Sequence, residues 1–495
     1  MKVLLIEPPI NAFTGFVKRG YPIGLCMLAA VAHRDKIAEV RVYDVDKSAP
    51  RSDGLDFTHQ RQHMAQYLEG VNNVGHPVWR QLAQALEAFQ PEVVGITTMT
   101  IQYASALQTA RVVKEWNRDC TVILGGPHAS VMPRLMIDWP HTDLVVKGEG
   151  EDAFLEILKR LRSHGRDVET IPGVITKNNA GGVDAPPQEI DRLDDLPFPD
   201  RSALMKPESY SPEDMGLILT SRGCPYHCSY CSNFTRKTRF RSVENVLAEV
   251  CEVQKAFGTR QFMFKDDSFT LRRERIANFC TQIVEKRIDM LWECTTRLDL
   301  LDEGLMGLMK RAGCNRVGVG IESGDDEMLK TYNKRLTKQQ IREGVRVLQH
   351  SSIFWTGYFM MALPMETQEQ ILRTLEFMTE LRPSYAAIGV YKPYPGTRLF
   401  AMAEELGLVD SNVENMHFFN TNPVDYFLAD SHRRCAHIPE ERLTELITLM
   451  QSGFEKSNKR LSNVLRRAFS RRRLYLADPK SMLVDLKRAV KWLVP

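Results

Sequence analysis

Residues 216–231 read GLILTSRGCPYHCSYC. The first five form an apolar strand. Cysteines then fall at Cys224, Cys228 and Cys231, a C-x3-C-x2-C spacing on a loop opened by Gly223 and Pro225. Thiolates are soft ligands for iron–sulfur clusters or for zinc. Structural zinc takes four ligands, usually as paired C-x2-C. Three cysteines instead leave a cubane cluster with one iron that the protein does not ligate, and an open position suits catalysis. A zinc site completed by His227 is the alternative, awkward because His227 lies between the ligands.

Downstream of this loop, strand and helix alternate. Gln261–Lys265 leads into Arg272–Glu285, Met290–Cys294 into Glu303–Ala312, and Arg316–Ile321 into Thr337–His350. Phe354–Met361 leads into Glu369–Leu381, and Tyr385–Val390 into Leu399–Glu405. With the GLILT strand these make six βα units, too few for a closed eight-stranded barrel. A partial (β/α)6 barrel is expected, with functional groups at the carboxyl ends of its strands. Polar residues sit there: Asp266-Asp267-Ser268, Thr296-Arg297, Glu322-Ser323-Gly324, Pro364 with Glu366-Thr367, and Tyr391 with Pro395-Gly396-Thr397. Trp355, Tyr358, Met360, Tyr391 and Tyr394 are candidate pocket walls, although aromatics and methionine in strands serve equally as core.

Upstream, short unalternated strands at Val3–Glu7, Val40–Asp44, Val93–Thr97, Val122–Gly126 and Leu144–Gly148 alternate with helix-like stretches. That pattern means a parallel sheet covered on both faces, a doubly wound α/β domain. Such sheets bind ligands at the carboxyl ends of their strands. Four loops collect there: Pro22-Ile23-Gly24, Thr97-Thr98-Met99, Gly125-Gly126-Pro127-His128 and Gly148-Glu149-Gly150-Glu151. No G-x-G-x-x-G follows the first strand, which disfavours a dinucleotide, and no phosphate-binding G-x-x-x-x-G-K-[ST] occurs. Gly165–Arg201, rich in Asp, Gly and Pro, reads as a boundary.

The chain has 495 residues, 43% apolar and 26% charged, with no apolar run of 18. This is the composition of a globular protein without a membrane span. The opening MKVLLIEPP is a first strand rather than a signal peptide. Ten cysteines without an export signal point to the reducing cytoplasm and to metal binding, not disulfides. Cys26, Cys120, Cys251, Cys280, Cys294, Cys314 and Cys435 lie in no close pair and read as free thiols. Cys294, at a strand end, is a candidate to face the pocket. The net charge of +3 conceals an asymmetry: residues 456–495 hold twelve Lys or Arg against two Asp, so the other 455 residues sum to −7. Leu461–Phe469, Arg471–Leu476 and Met482–Val494 read as basic amphipathic helix. It is expected either at the inner face of a membrane or docked on the acidic body. No aromatic-interleaved nucleic-acid module is visible.

The cysteine loop, down to Tyr230 before the last cysteine, resembles that of radical S-adenosylmethionine (SAM) enzymes. The resemblance implies that Cys224, Cys228 and Cys231 hold a 4Fe–4S cluster whose open iron chelates SAM. Reductive cleavage then yields a 5′-deoxyadenosyl radical, with an electron donor such as flavodoxin or ferredoxin. It further implies that Tyr230 lies against the adenine and that Asp266-Asp267-Ser268 takes the place of the loop gripping the methionine amino group. Arg297 and Glu322 would contact the methionine carboxylate and the ribose.

Pro22-Ile23-Gly24-Leu25, the Gly-Gly-Pro-His loop, the Gly148–Glu151 turn and the cysteine loop, in that order, resemble the cobalamin-dependent members over about residues 1 to 410. The D-x-H-x-x-G motif of proteins that ligate cobalt through histidine is absent, as is general in this class. Methylthiotransferases fit less well, because their first domain carries its own cysteine cluster; here that region offers only Cys26 and Cys120. The resemblance implies a cobalamin-binding domain over 1–165, a linker over 166–212, a radical SAM barrel over 213–410 and a basic helical region over 411–495. The nucleotide tail of cobalamin would lie near Thr97, Thr98 and Gly125–His128, with Pro22, Gly24, Gly148 and Glu149 on the same edge. The implied chemistry is methylation of an unactivated carbon in a small-molecule or lipid-like substrate. Oxidative cyclisation or rearrangement is the alternative, and a cobalamin- or cluster-binding sensor is the non-enzyme alternative.

Overall fold

A computed structural model describes residues 1–14, 20–48, 60–163, 167–179, 188–232, 235, 237–429, 433–470, 472–477, 482–483 and 486. The chain forms two compact units. One is Met1–Met215 with Tyr394–Gly396 and Ser411–Phe427; the other is Gly216–Pro393 with Thr397–Asp410 and Leu428–Pro495.

The first unit is built on six strands: β1 (Lys2–Glu7), β2 (Glu39–Asp44), β3 (Val93–Thr97), β4 (Thr121–Gly125), β5 (Leu144–Val146) and β6 (Val174–Ile175). Their order is β2-β1-β3-β4-β5-β6, parallel except for the antiparallel β6. Val3–Ile6 and Val93–Ile96 are buried throughout, as strands with helices on both faces must be. The order reverses at β1, so the crevice between the carboxyl ends of β1 and β3 is the topological switch point, where such sheets take ligands.

The stretch read as a boundary is packed structure. Val174–Ile175 pairs with β5, Gly148 bridges Gln188, and Leu204 bridges Val42 on β2. The buried Tyr210 hydroxyl donates to Asp44 Oδ2 at 2.9 Å. An open sheet leaves unpaired backbone at both edges, and this segment covers both. Low apolar content hid that role.

The second unit holds β7 (Leu217–Ile218), a two-stranded ribbon of β8 (Ser221–Arg222) and β9 (Arg239–Phe240), then β10 (Gln261–Phe264), β11 (Leu291–Thr296), β12 (Cys314–Glu322), β13 (Phe354–Met361) and β14 (Tyr385–Val390). Apart from the ribbon, they make one all-parallel sheet in the order β14-β13-β12-β11-β10-β7. The helix Val243–Phe257, absent from the sequence reading, links the ribbon to β10; Ser242 caps its start and Gly258, at φ 67°, its end. At the β14 edge, the Asn458 side chain accepts from Ala386 N at 2.7 Å and donates to its carbonyl at 2.8 Å.

Strand parity sorts the side chains. Trp292, Cys294, Val317, Val319, Trp355 and Phe359 are buried on one face, whereas Glu293, Arg316, Tyr358 and Met360 on the other keep some exposure. Cys294 and Trp355 therefore lie on the buried face and do not line a pocket. Cys294 neighbours the Cys280 and Cys314 thiols instead.

Candidate functional site

The cysteine loop leaves β8 at Gly223, whose φ of 88° is left-handed and whose added Cβ would lie 2.5 Å from the Lys237 carbonyl. Only glycine fits there. Cys224 N donates to Thr235 O (3.1 Å) and Cys231 N to Cys228 O (3.1 Å). The loop's far side is held by the segment after β12. Ser229 N donates to Tyr332 O (2.8 Å), Ser229 Oγ to Thr331 O (2.9 Å), and Asn333 Nδ2 to His227 O (2.7 Å). None of the three thiols is in a disulfide, and all are part-exposed. Burial pushes the Cys224 thiol up, and the nearby Asp267 carboxylate and Cys228 thiol push the same way.

Asp266 and Asp267, adjacent in sequence, differ in environment. Asp266 is buried. Its Oδ1 accepts from Thr220 N (2.6 Å) and Ser221 N (3.0 Å), and its Oδ2 from the Thr220 hydroxyl. Burial raises its pKa against these bonds. Its carboxylate thus ties the end of β10 to the entrance of the cysteine loop and is not available to a ligand. Asp267 is exposed, and Ser268 Oγ is buried against Thr296 Oγ1 at 3.3 Å.

Arg297 follows β11 and is buried. Nε and Nη2 donate to Asp299 (3.0 and 3.1 Å), Nη2 also to Lys334 O (2.9 Å), and the guanidinium lies 3.8 Å from the Tyr226 ring centroid. Nη1 is buried with no hydrogen-bond partner. Glu322 ends β12 at φ 68°, where the register against β13 shifts. Its Oε1 accepts from Tyr230 OH and Lys334 Nζ, both at 2.9 Å. A Cβ at Gly320 would stand 2.2 Å from that oxygen. Tyr230 packs beside the buried Met328, Tyr332, Leu363, Tyr391 and Leu399. Beyond Pro364, Glu366 is fully buried; its Oε2 accepts from Leu363 N (3.1 Å), and burial pushes its pKa up to about 8.

In the first unit, β3 and β4 are joined beyond their ends. Thr98 N donates to Gly125 O (2.8 Å) and His128 N to Thr98 O (2.9 Å). Gly126, at φ 96°, would place a Cβ 2.8 Å from Thr98 N. Gln102 Nε2 crosses the switch point to Glu7 Oε1 (3.1 Å) and Pro8 O (3.2 Å). Thr98 Oγ1, Gln102 Oε1 and His128 Nε2 are buried without partners. His128 is wholly buried, 4.6 Å from the Tyr103 ring, and burial lowers its pKa to about 3. Gly24 is exposed with open space before its Cβ position. The Gly148–Glu149 turn, by contrast, is covered: Glu149 Oε2 accepts from Ile190 N at 2.7 Å.

The B12 binding domain family matches residues 16–158, and the radical SAM superfamily matches residues 218–378. Together the two matches span well over half of the chain, in the order of its two units. The chain belongs to the cobalamin-dependent radical SAM enzymes. Its cofactors are accordingly a 4Fe–4S cluster, SAM and cobalamin. It is 29% identical over 459 residues to an uncharacterized methyltransferase of Pyrococcus horikoshii, covering 90% of this chain and 91% of that one. It is 30% identical over 340 residues to an anaerobic magnesium-protoporphyrin IX monomethyl ester cyclase of Rubrivivax gelatinosus, covering 66% of this chain and 60% of the cyclase. The fold is similar to that of the radical SAM methyltransferase TsrM from Kitasatospora setae, solved with cobalamin and a 4Fe–4S cluster. The TM-score is 0.64 at 18% identity, over 91% of this chain and 88% of that one.

In this radical SAM enzyme the sequence reading missed Lys334, buried beside Glu322, and the burial of Glu366. A lysine in Asn333-Lys334-Arg335 looks like a surface turn. Its one signal was position, just after a strand-end carboxylate.

Proposed function

We propose that this enzyme transfers a methyl group to an unactivated carbon of a small-molecule or lipid-like substrate, with Cys224, Cys228 and Cys231 holding the cluster. The observation that carries the SAM site is the buried Arg297 Nη1, a cationic donor left without a partner close to the cysteine loop. Such a group is costly unless something binds it. Among the described residues no three His, Cys, Asp or Glu converge on a single metal ion. A cubane needs no such convergence, since each thiolate takes its own iron, and soft part-exposed thiols fit it. In the first unit, the unpartnered Thr98, Gln102 and His128 atoms at the strand ends fit the polar tail of cobalamin.

When bound, SAM at the reduced cluster supplies the 5′-deoxyadenosyl radical and cobalamin the methyl group. The protein's part is to orient and to exclude water. Arg297 is fixed on two sides by Asp299 and by the Lys334 carbonyl, so Nη1 presents a rigid donor to the methionine carboxylate. Glu322 spends Oε1 on Tyr230 and Lys334 and keeps Oε2 for the ribose hydroxyls. Tyr230, with its hydroxyl so fixed, offers its ring to the adenine. Asp267 and Ser268 flank the amino group, and Asp266 acts through the loop it holds. A one-electron donor such as flavodoxin or ferredoxin supplies the reductant. No described helix is long and apolar enough to cross a membrane.

Methyl transfer is favoured over cyclisation because the methyltransferase relative matches over 91% of its length and the cyclase over 60%. Anaerobic reconstitution with cobalamin, SAM and dithionite, using extract from a strain lacking the gene as substrate source, separates the readings. A methyltransferase releases both 5′-deoxyadenosine and S-adenosylhomocysteine. 5′-Deoxyadenosine alone indicates cyclisation, and neither, with the cluster intact, indicates a sensor. Cys228→Ala should lose the cluster's visible absorbance; retention would sink the ligand assignment.

A further inference from the structure

The helix Leu461–Ser470 faces the wrong way for a helix that serves only its own core. Its inner face carries Asn463, which is 7% exposed and donates to Ser457 O at 2.9 Å, with Val464 and Arg467, whose guanidinium lies 6.0 Å from the Tyr385 ring centroid. Its large apolar side chains point to solvent: Leu461 is 66% exposed, Leu465 58% and Phe469 63%, with Leu476 at 84% further along. The spacing i, i+4, i+8 places the first three on one stripe. Arg466 and Arg472 border it, the latter 3.9 Å from the Phe469 ring centroid. No Asp or Glu occurs between Lys456 and Ala477.

We infer that this stripe seats the enzyme on an anionic lipid bilayer, the helix lying in the plane of the surface. An apolar stripe flanked by arginines, whose stems reach alongside it while their heads stay in water, is the pattern of an interfacial helix. Charge selects the occupant. Residues 456–495 carry twelve cations against two anions, so tail-to-tail pairing of two copies would bring like charges together, while anionic headgroups attract them. Among the described residues, the exposed large hydrophobics Val74, Met99, Val284, Leu406 and Leu449 fall one to an element, whereas Met482, Leu483 and Leu486 extend the exposed apolar set within the same basic tail, so a second copy would again have to pair cation-rich surfaces. The last turns expected from the sequence, with Val490 and Leu493 among Lys487, Arg488 and Lys491, lie outside the described residues.

The test is co-sedimentation of the reconstituted full-length enzyme with vesicles of phosphatidylcholine alone or mixed with phosphatidylglycerol. Binding is expected only with the anionic lipid, and it should fall as salt rises. Leu465→Ala/Phe469→Ala should weaken it at least tenfold while leaving the cluster absorbance unchanged, and Arg466→Glu should weaken it separately. Three results would overturn the inference: no sedimentation with anionic vesicles at low salt, binding that survives loss of Leu465 and Phe469, or a stripe-dependent dimer in light scattering.

Discussion

Lys334 offers a sharp quantitative test. Its ammonium and the Glu322 carboxylate are 2.9 Å apart, with side-chain exposures of 5% and 8%. Removing one member of a buried pair leaves an uncompensated charge, at a cost of about 3 to 5 kcal/mol. Lys334→Met keeps the stem and removes only the charge, so it isolates that cost. Glu322→Gln with Lys334→Met removes both charges, and the remaining neutral amide still accepts from Tyr230. The double variant should therefore recover most of the loss, to within about 1 kcal/mol of the parent. Hydrogen exchange read by mass spectrometry at Val317–Ile321 reports local opening, free of the two-unit complication of a global melt. Lys334→Met should speed exchange there roughly 100-fold or more, given that about 1.4 kcal/mol is tenfold. The double variant should return close to parent rates. If the two single effects simply add, the pair is not coupled and the account of Glu322 as a held carboxylate fails.

Two further tests concern the neighbouring carboxylates. Unfolded, Glu366 titrates near 4.5, whereas burial holds its proton in the folded state up to about 8. The folded chain thus binds the extra proton between those values. Stability from this group falls as pH rises from about 4.5 to 8 and is level above, by roughly 5 kcal/mol in all. Glu366→Gln should flatten that part of the Tm–pH curve, and parallel curves would show that Glu366 does not titrate this way. For Asp266, the alanine variant leaves the Thr220 and Ser221 amides buried without acceptors, at about 1 to 3 kcal/mol each. Asp266→Ala should hasten cluster loss to a chelator several-fold and Asp266→Asn should restore it; equal rates in all three would remove Asp266 from any positioning role.

The sheets were legible because their strands are short apolar runs. Val93–Thr97, Phe354–Met361 and Tyr385–Val390 fall where composition places them. A run that is apolar on both faces has few alternatives to a covered parallel strand. What could not be read depended on register. Val174–Ile175 is too short to announce itself and exists because β5 has an open edge. The parity that turns Cys294 to the buried face depends on where β11 begins. Lys334 is buried only because the turn after Asp326–Thr331 brings it to Glu322, twelve positions back.

The paired aspartates show how register assigns roles that composition leaves equal. A cationic amino group calls for a carboxylate, and Asp266-Asp267 offers two indistinguishable ones in sequence. Because β10 pairs with β7 through Met263–Leu217 and Phe264–Ile218, the next residues meet the exit of β7, and Asp266 falls against Thr220 and Ser221. There the carboxylate is surrounded by donors and loses access to solvent. Asp267, one position on, is exposed and acts electrostatically on Cys224. The burial that makes Asp266 a good clasp makes it a poor ligand, since a carboxylate with both oxygens engaged has little left to bind a substrate cation. Asp267, exposed to solvent, is the carboxylate of the two that a cation can reach. Neighbouring identical residues thus divide a buried clasp from an exposed carboxylate, and the division follows from one strand register rather than from side-chain chemistry.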